Sequence, residues 1–241
     1  MARTSFQGSC AIVTGASSGI GRSTALQLAY AGARVAALAR RHELLDELAG
    51  ASPEIVPIVC DVSDSRAVER AVAEAVEKFG GLDILVNAAG KGIVRGRIGR
   101  VPLNSWVETI NTNLLGVYYV SQFSTAALSA SGHGRIVNIG SGRRSGPMAG
   151  GSAYAVSKAG LWMLTQTMAM EYWERGITVN EVVPGPTLTG MTRSDEQAAL
   201  GTFPSERLKD PDEVAEYILE VLSFPVGGPT GQSFSLQRRP L

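Results

Sequence analysis

Short apolar runs alternate with segments of helical periodicity along the chain of 241 residues. This alternation is typical of parallel strands joined by right-handed helical crossovers. We therefore predict an α/β fold over residues 1–241: a single-domain, doubly wound parallel sheet of about seven strands with helices on both faces. The predicted strands lie near 9–14, 34–39, 55–59, 83–87, 134–140, 177–183 and 233–236. The predicted helices lie near 19–31, 41–49, 64–79, 103–130, 152–174 and 211–223.

A glycine-rich turn follows the first predicted strand and precedes the first predicted helix. Gly15 and Gly19 let the backbone turn tightly and approach a pyrophosphate at the helix N-terminus, while Gly21 lets helix and strand pack closely. The strand–turn–helix context favours a Rossmann-type dinucleotide site over a plain turn. The candidate residues of this site are Gly15, Ser17, Ser18, Gly19, Ile20 and Gly21.

The end of the second predicted strand indicates which dinucleotide binds. A site for NAD usually has an acidic residue here, which holds the ribose 2′-hydroxyl. This chain has Ala39 instead, followed by Arg40 and Arg41. Because a guanidinium group can bind phosphate bidentately, Arg40 and Arg41 predict NADP(H) as the cofactor. The alternative is that both arginines simply face water at the start of a helix.

Tyr154 and Lys158 are one helical turn apart in a predicted helix, so their side chains share a face. A free tyrosine keeps its proton until about pH 10, and a neighbouring lysine cation favours the phenolate. We therefore expect Lys158 to lower the pKa of Tyr154 and so to prepare it for proton transfer. An isolated pair of this kind is more often an ordinary exposed pair, and its weight here comes from the upstream motifs.

Taken together, these motifs resemble the short-chain dehydrogenases/reductases in their compact form, including 3-oxoacyl-thioester reductases and related carbonyl reductases. Further family motifs follow in the same order along nearly the whole chain. The resemblance implies a catalytic tetrad of Asn113, Ser141, Tyr154 and Lys158. It also implies cofactor contacts from Asp61, Val62, Asn87, Ala88, Gly90, Tyr154, Lys158, Pro184, Gly185, Thr187 and Thr189. The chain departs from the family pattern at Ala88, which replaces a second asparagine, and at the C-terminus, where many relatives carry Gly-Gly.

The resemblance further implies the chemistry. In the reducing direction, Ser141 and Tyr154 would hydrogen-bond the carbonyl oxygen, and Tyr154 would act as general acid/base. Lys158 would also reach the nicotinamide ribose, and Asn113 would hold a water that links Lys158 to solvent. We thus expect an NADP(H)-dependent oxidoreductase acting on a ketone or secondary alcohol. A segment without clear periodicity near 188–207 is interpreted as a substrate lid, with an ordinary surface loop as the alternative.

Other functions and several substrates remain open at this stage. One alternative is a non-catalytic NADP-binding sensor or scaffold subunit, and a less favoured one is a nucleotide-sugar epimerase or dehydratase. The substrate could be a 3-oxoacyl thioester, a steroid or polyketide ketone, a sugar or polyol, or a small hydroxy acid. Six cations in two predicted rim segments favour an anionic substrate, although two solvated loops would explain them equally well. These cations are Lys91, Arg95, Arg97, Arg100, Arg143 and Arg144.

Composition limits the partners. The 22 basic residues equal the 22 acidic ones, so no overall field favours nucleic acid or an anionic membrane. No apolar signal segment or membrane span is recognised, so we expect a cytoplasmic protein. The two cysteines and two histidines have no ligand-like spacing, which predicts no metal site and no disulfide.

Two of the predicted helices carry more apolar side chains than one sheet-facing stripe requires. They are the helices near 103–130 and 152–174. A helix that is apolar on two faces must bury the second face against something. We expect a homodimer or homotetramer through these helices, with burial under a loop of the same subunit as the alternative.

Overall fold

The computed structural model describes residues 5–146, 148–191 and 207–237. Within these ranges seven parallel strands form one sheet in the order β3-β2-β1-β4-β5-β6-β7, which confirms the predicted doubly wound α/β fold. The strands are β1 (Cys10–Thr14), β2 (Arg34–Ala39), β3 (Ile55–Val59), β4 (Ile84–Asn87), β5 (Gly134–Ile139), β6 (Ile177–Val183) and β7 (Ser233–Ser235). Each of them matches a predicted strand.

Helices cover both faces of the sheet. They are α1 (Gly19–Tyr30), α2 (His42–Gly50), α3 (Ser65–Phe79), α4 (Leu103–Ile110), α5 (Gly116–Ala130), α6 (Ser152–Tyr172) and α7 (Pro211–Leu222). Short 3₁₀ turns lie at Gly142–Ser145 and Trp173–Arg175. No helix within the described ranges combines the length and the apolar character needed to cross a bilayer.

The helix predicted over 103–130 is present, but it is not α-helical throughout. A π turn at Asn111–Leu115 separates α4 from α5. A π turn closes an i→i+5 hydrogen bond, so it accommodates one residue more than an α-turn and changes which side chains face the sheet. Such turns occur frequently at functional sites, and this one contains Asn113.

The core explains why the strand segments are almost continuously apolar. Every residue of β1 is buried, because helices cover the sheet on both sides. One apolar cluster joins the sheet to α1, α2 and α7, and contains Leu28, Leu45 and Ile218. The other joins it to α3, α5 and α6, and contains Val72 and Met168 among its members. Side chains on both faces of β1 are therefore buried.

The chain order creates a crevice beside the central strand. From β1 the chain proceeds outward to β3, and it then returns to the other side of β1 as β4. The connection after β1 leads to β2 on one side, and the connection after β4 leads to β5 on the other side. Because the two connections diverge, a gap opens at the carboxyl ends of β1 and β4. Ligands of open α/β sheets bind at this switch point.

A buried polar network links the sheet to the helix that carries the tyrosine and lysine. The Asn87 amide donates to Asn138 Oδ1 at 2.9 Å and to Ser121 Oγ at 3.3 Å. Asn138 in turn donates to Thr165 Oγ1 on α6 at 2.9 Å. Hydrogen bonds between buried side chains have a preferred geometry, so this network fixes α6 relative to β4 and β5.

Candidate active site

A cavity of about 500 Å³ opens at the carboxyl edge of the sheet, at the switch point between β1 and β4. It extends from the ends of β2 and β3 to the first turns of α6. Most of the predicted cofactor residues line it: Gly15, Ser17, Ser18, Gly19, Ile20, Gly21, Arg40, Arg41, Asp61, Val62, Ala88, Gly90, Tyr154, Lys158, Pro184, Gly185, Thr187 and Thr189. The structure thus brings distant segments of the chain to one cavity.

The glycine turn is shaped by close backbone contact. Gly15 has a φ of 68°, and a Cβ atom there would lie 2.8 Å from the Cα of Ala89. Gly19 has a φ of 55°, and its Cβ would lie 2.9 Å from Thr189 Cγ2. At Gly21 a Cβ would lie 2.5 Å from the carbonyl oxygen of Gly15. Each position therefore needs glycine, because of conformation, crowding or both.

The N-terminus of α1 faces the cavity without a side-chain cap. The N-cap residue Ser18 accepts no hydrogen bond from the first turn of the helix, and that turn contains no acidic residue. The first-turn N–H groups and the positive end of the helix dipole therefore suit an anion. Gly19, Ile20 and Gly21 line the cavity at this point, which fits the pyrophosphate of a dinucleotide.

Two arginines and one aspartate form the far end of the cavity. The Arg41 guanidinium donates to Ser17 Oγ at 2.8 Å and to Ser18 Oγ at 2.7 Å, so it is held beside the glycine turn. Arg40 has a 68% exposed side chain and lies 3.7 Å from Asp61 Oδ2. No carboxylate follows Ala39 directly, so the residues present fit a ribose phosphate better than a free 2′-hydroxyl.

Asp61 is kept ionised by its surroundings. Its Oδ1 accepts from the backbone N–H of Ser63 at 2.9 Å and from the Ser63 hydroxyl at 2.7 Å. Burial acts to raise the pKa of Asp61, but these hydrogen bonds and the charge of Arg40 outweigh it and hold the pKa below its ordinary value. An ionised carboxylate at this place can accept a hydrogen bond from an adenine amine.

At the opposite end of the cavity, Tyr154 and Lys158 project from the first two turns of α6. The Lys158 side chain is 6% exposed, and its Nζ donates to the carbonyl oxygen of Ile139 at 2.6 Å. The same Nζ lies 5.9 Å from the centre of the Tyr154 ring. The Ser141 side chain lies near Tyr154 and acts on the pKa of its phenol. Ser141 is half-buried and is not among the residues that line this cavity.

The expected lowering of the Tyr154 pKa is wrong for this structure. Burial raises the pKa of Tyr154 above its ordinary value, against the hydrogen bond with Ser141 and the charge of Arg143. Burial also lowers the pKa of Lys158 to about 8, against the charge of Glu181. Desolvation disfavours the charged form of both groups and is the larger effect for each.

Asn113 lies in the π turn and has no solvent exposure. Its Oδ1 accepts from the Lys91 N–H at 2.7 Å, and its Nδ2 donates to the Lys91 carbonyl at 3.0 Å and to Ser157 Oγ at 3.2 Å. The side-chain amide therefore anchors the loop after β4 to α6. Both amide hydrogens of Asn113 are donated to protein groups, and Asn113 is not among the residues that line the cavity. The predicted water between Lys158 and solvent stays a prediction.

Asn87 is the other predicted residue that the structure places differently. Its side chain is buried, bonds to Asn138 and Ser121, and is not among the residues that line the cavity. The predicted cofactor contact of Asn87 stays a prediction. Its neighbour Ala88 lines the cavity, and the N–H of Ala88 donates to Thr14 Oγ1 at 3.1 Å.

Acidic residues approach two of the six cations that were predicted at the rim. Lys91 Nζ lies 2.5 Å from Glu108 Oε2. Arg144 Nε lies 3.1 Å from the buried Glu181 Oε2, and its guanidinium stacks 4.2 Å from the centre of the Trp162 ring. Arg95, Arg97 and Arg100 are exposed. Of the predicted lid near 188–207, residues 192–206 lie outside the described part of the chain.

Sequence reasoning missed several residues that line the cavity or support it. Most of them flank recognised motifs at the carboxyl ends of strands, and that position alone could have indicated them. They are Leu38, Cys60, Ala89, Thr112, Ile139 and Gly140. Lys91, Gly190 and Met191 also line the cavity and belong to the predicted rim and lid. Among the described residues, no group of three or more His, Cys, Asp or Glu side chains is arranged to hold a metal ion.

The crowding at Gly15 yields a prediction. Gly15→Ala would place a side chain against the Ala89 backbone and in a left-handed conformation that is unfavourable by about 1–2 kcal/mol. We expect a lower free energy of unfolding in urea and at least about tenfold weaker binding of NADPH, measured by fluorescence titration. Gly81→Ala is the matched control, because a Cβ there meets no atom within 4 Å. Equal effects of the two substitutions would contradict the proposed crowding.

Comparison with known proteins agrees with this geometry. Residues 9–199 match the family described as short chain dehydrogenase. The chain is 37% identical over 238 residues to the 3-oxoacyl-[acyl-carrier-protein] reductase FabG of Thermotoga maritima, covering 94% of this chain and 95% of that protein. It is 35% identical over 230 residues to the L-xylulose reductase of Cavia porcellus, covering 92% of each. A solved structure of a mutant short-chain dehydrogenase/reductase of Serratia marcescens has a TM-score of 0.88 at 33% identity, covering 95% of this chain and 96% of that one. The chain therefore belongs to the short-chain dehydrogenase/reductase family of oxidoreductases.

Proposed function

We propose that this protein is an NADP(H)-dependent oxidoreductase that interconverts a ketone and a secondary alcohol, with Tyr154 as general acid/base. One observation carries the proposal. Tyr154 and the buried Lys158 lie at one end of the same cavity whose other end holds the glycine turn and Arg41. A dinucleotide bound along this cavity would place its reactive ring beside the tyrosine hydroxyl.

The chain's own residues divide the work of the reaction. When bound, the nicotinamide supplies or accepts the hydride. The glycine turn and the N-terminus of α1 hold the pyrophosphate, and Lys158 lies where it can reach the ribose. Tyr154 donates its phenolic proton to the carbonyl oxygen as negative charge develops there, and Ser141 stabilises the same oxygen.

The protonation state of Tyr154 favours the reducing direction near neutral pH. Burial raises its pKa, so the phenol carries the proton that a ketone oxygen must receive. Alcohol oxidation requires the phenolate as base and is therefore favoured at higher pH. The charges of Lys158 and of a bound cofactor act on the same hydroxyl during turnover.

A test of the enzymatic function is Tyr154→Phe, which removes the proton donor and leaves the ring in place. We expect turnover of a ketone to fall by about 10²–10⁴-fold, the typical contribution of a general acid, while NADPH binding stays within about threefold. The measurement is loss of NADPH absorbance against a panel containing a 3-oxoacyl thioester, a neutral sugar and a steroid ketone. Tyr118→Phe, at an exposed tyrosine of α5, is the control.

The outcome also separates an enzyme from a sensor or scaffold subunit. A non-catalytic NADP-binding protein would bind NADPH and turn over no member of the panel. If the Tyr154→Phe variant keeps full turnover, Tyr154 is not the general acid/base of the reaction.

Cofactor preference for NADP(H) is supported by Arg41. Its guanidinium is held by two serine hydroxyls beside the cavity, and Arg40 lies nearby with a largely exposed side chain. A prepositioned guanidinium loses little side-chain entropy on binding phosphate. We therefore assign the larger contribution to Arg41 and a smaller one to Arg40.

Arg41→Ala should weaken NADPH binding by about 10- to 100-fold, since loss of a charge-assisted hydrogen bond costs about 1.5–3 kcal/mol. NADH binding should change by less than about threefold, because NADH has no 2′-phosphate. Arg40→Ala should have the same direction and a smaller size. Arg66→Ala, at an exposed arginine of α3, is the control. Unchanged preference between the two cofactors in Arg41→Ala and Arg40→Ala would refute the assignment.

The exposed arginines near the cavity support a narrower proposal for the class of substrate. Arg95, Arg97 and Arg100 form an exposed basic segment between β4 and α4, which favours an anionic ketone such as a 3-oxoacyl thioester. The reductase of Thermotoga maritima is named for such a substrate. A neutral polyol, steroid or polyketide alcohol is the second candidate, because acids approach Lys91 and Arg144.

We further propose that the protein is a homodimer or homotetramer through α4, α5 and α6. Apolar side chains of these helices are exposed in the single chain: Val107, Tyr118, Val156, Met163 and Met170. A second copy of the chain could bury them around a two-fold axis. Loops in the described part of the chain leave them uncovered.

Light scattering at micromolar concentration should give the mass of a dimer or a tetramer. Met163→Glu, which places a charge in the proposed interface, should shift the mass toward the monomer. Tyr30→Glu is the matched control, because Tyr30 is an exposed apolar residue of α1 outside this face. A monomeric mass for the unmodified protein would refute the assembly.

A further inference from the structure

A buried acidic residue lies beside the catalytic segment and has no part in the mechanism described so far. Glu181 is on β6, has no solvent exposure and pairs with Asn138 in the register of β5 and β6. A carboxylate removed from water must be paired or hydrogen-bonded to remain charged. Its Oε2 accepts from the Ser233 hydroxyl at 2.8 Å and lies 3.1 Å from Arg144 Nε.

The position of this carboxylate depends on Gly140. A Cβ atom at Gly140 would overlap Oε1, Cδ and Cγ of Glu181, so the carboxylate lies directly against the Gly140 backbone. Gly140 stands between two residues of the site. The carbonyl of Ile139 accepts a hydrogen bond from the Lys158 ammonium at 2.6 Å, and the Ser141 side chain lies near Tyr154 and acts on its pKa. Glu181 is thus packed beneath the segment that contacts both groups.

One oxygen of the carboxylate lacks a hydrogen-bond partner. Within the described ranges, Glu181 Oε1 is buried and accepts no hydrogen bond, whereas Oε2 has two partners. The buried cation on the other side of this segment is Lys158. Burial lowers the pKa of Lys158, and the charge of Glu181 opposes this effect. Burial raises the pKa of Glu181 above its ordinary value, and the Ser233 hydrogen bond and the charges of Arg144 and Lys158 oppose it.

The other titratable and charged groups around Lys158 are a tyrosine, two arginines and a lysine. Tyr154 is on the same helix, and its phenol is kept neutral by burial. Arg143 and Arg144 come from the 3₁₀ turn, and Arg144 is paired with Glu181. Lys91 lines the same cavity and is paired with Glu108 of α4. Glu181 is therefore the buried acidic group that faces Lys158 from the sheet.

We propose that Glu181 is a positioning residue for the reaction: held by Arg144 and Ser233 against Gly140, its carboxylate provides the buried negative charge that keeps Lys158 cationic beside Tyr154. The proposal rests on the proposed roles of Tyr154 and Lys158. It assigns Arg144 to this internal pair rather than to substrate capture.

The proposal is tested by the titration of Lys158 itself. Acetylation by acetic anhydride across a pH series, read by mass spectrometry of the peptide containing Lys158, reports the neutral amine. In the unmodified protein half-maximal reactivity is expected near pH 8, the value to which burial lowers this amine's pKa. Glu181→Gln keeps the shape and removes the charge, so the midpoint should move to lower pH by about one unit. The pH at which kcat for ketone reduction falls on the alkaline side should also move to lower values.

Two further variants separate this role from a structural one. Asp83→Asn removes a carboxylate at the amino edge of the sheet, where Asp83 accepts from the Cys10 N–H at 2.8 Å, and should leave the Lys158 midpoint unchanged. Arg144→Gln removes a cation that helps to keep the Glu181 carboxylate ionised, so the Lys158 midpoint should move to lower pH, as in Glu181→Gln.

The outcomes are distinct. A Glu181→Gln protein that unfolds at lower temperature but keeps the Lys158 midpoint would overturn the proposal and make Glu181 purely structural. If Glu181→Gln does not fold, Arg144→Gln decides, and an unchanged midpoint there overturns it equally. The acetylation needs no turnover, so failure of the proposed oxidoreductase activity would be seen separately in Tyr154→Phe.

Discussion

The close approach of two strand ends at the centre of the sheet determines where everything else can lie. The Thr14 hydroxyl at the end of β1 accepts hydrogen bonds from the N–H groups of Ala88 and Ala89 at 3.1 Å each. The glycine turn then passes so close to Ala89 that no side chain fits at Gly15. This contact sets the floor of the cavity and aims α1 at it. Because a ligand of the cavity would meet backbone here, the proposed pyrophosphate would be bound by N–H groups rather than by side chains.

A second theme is the accumulation of ionisable groups away from water. Tyr154, Lys158 and Glu181 lie within one layer between α6 and the sheet, and desolvation is the largest influence on the pKa of each. Buried charges of opposite sign reduce one another's desolvation penalty, but seldom remove it. The site therefore holds a neutral phenol and an amine close to its titration range. Groups poised in this way respond strongly to any further charge that a ligand brings into the cavity.

The sequence predicted the frame of the molecule well, because the frame depends on local patterns. Parallel strands covered on both faces are mostly apolar, and each predicted strand is found. Glycine positions and the spacing of Tyr154 and Lys158 likewise identified the site. What could not be predicted depends on contacts between distant segments. The pairing of Arg144 with Glu181 requires β6 to lie beside β5, and the raised pKa of Tyr154 requires the burial that only the assembled site provides.

The π turn at Asn111–Leu115 was missed for another reason, since its residues have ordinary helical propensity and no residue type marks such a turn. Its presence has a consequence for how members of a family could diverge. Loss of one residue would allow α4 and α5 to join as an uninterrupted α-helix with the sheet and the nucleotide cavity unchanged. Each α-helical residue turns the helix by about 100°, so a shortened turn would carry the amide of Asn113 away from Lys91. Variation in length at this turn would therefore remove the link between the loop after β4 and α6 while preserving the fold and leaving Tyr154 and Lys158 in place.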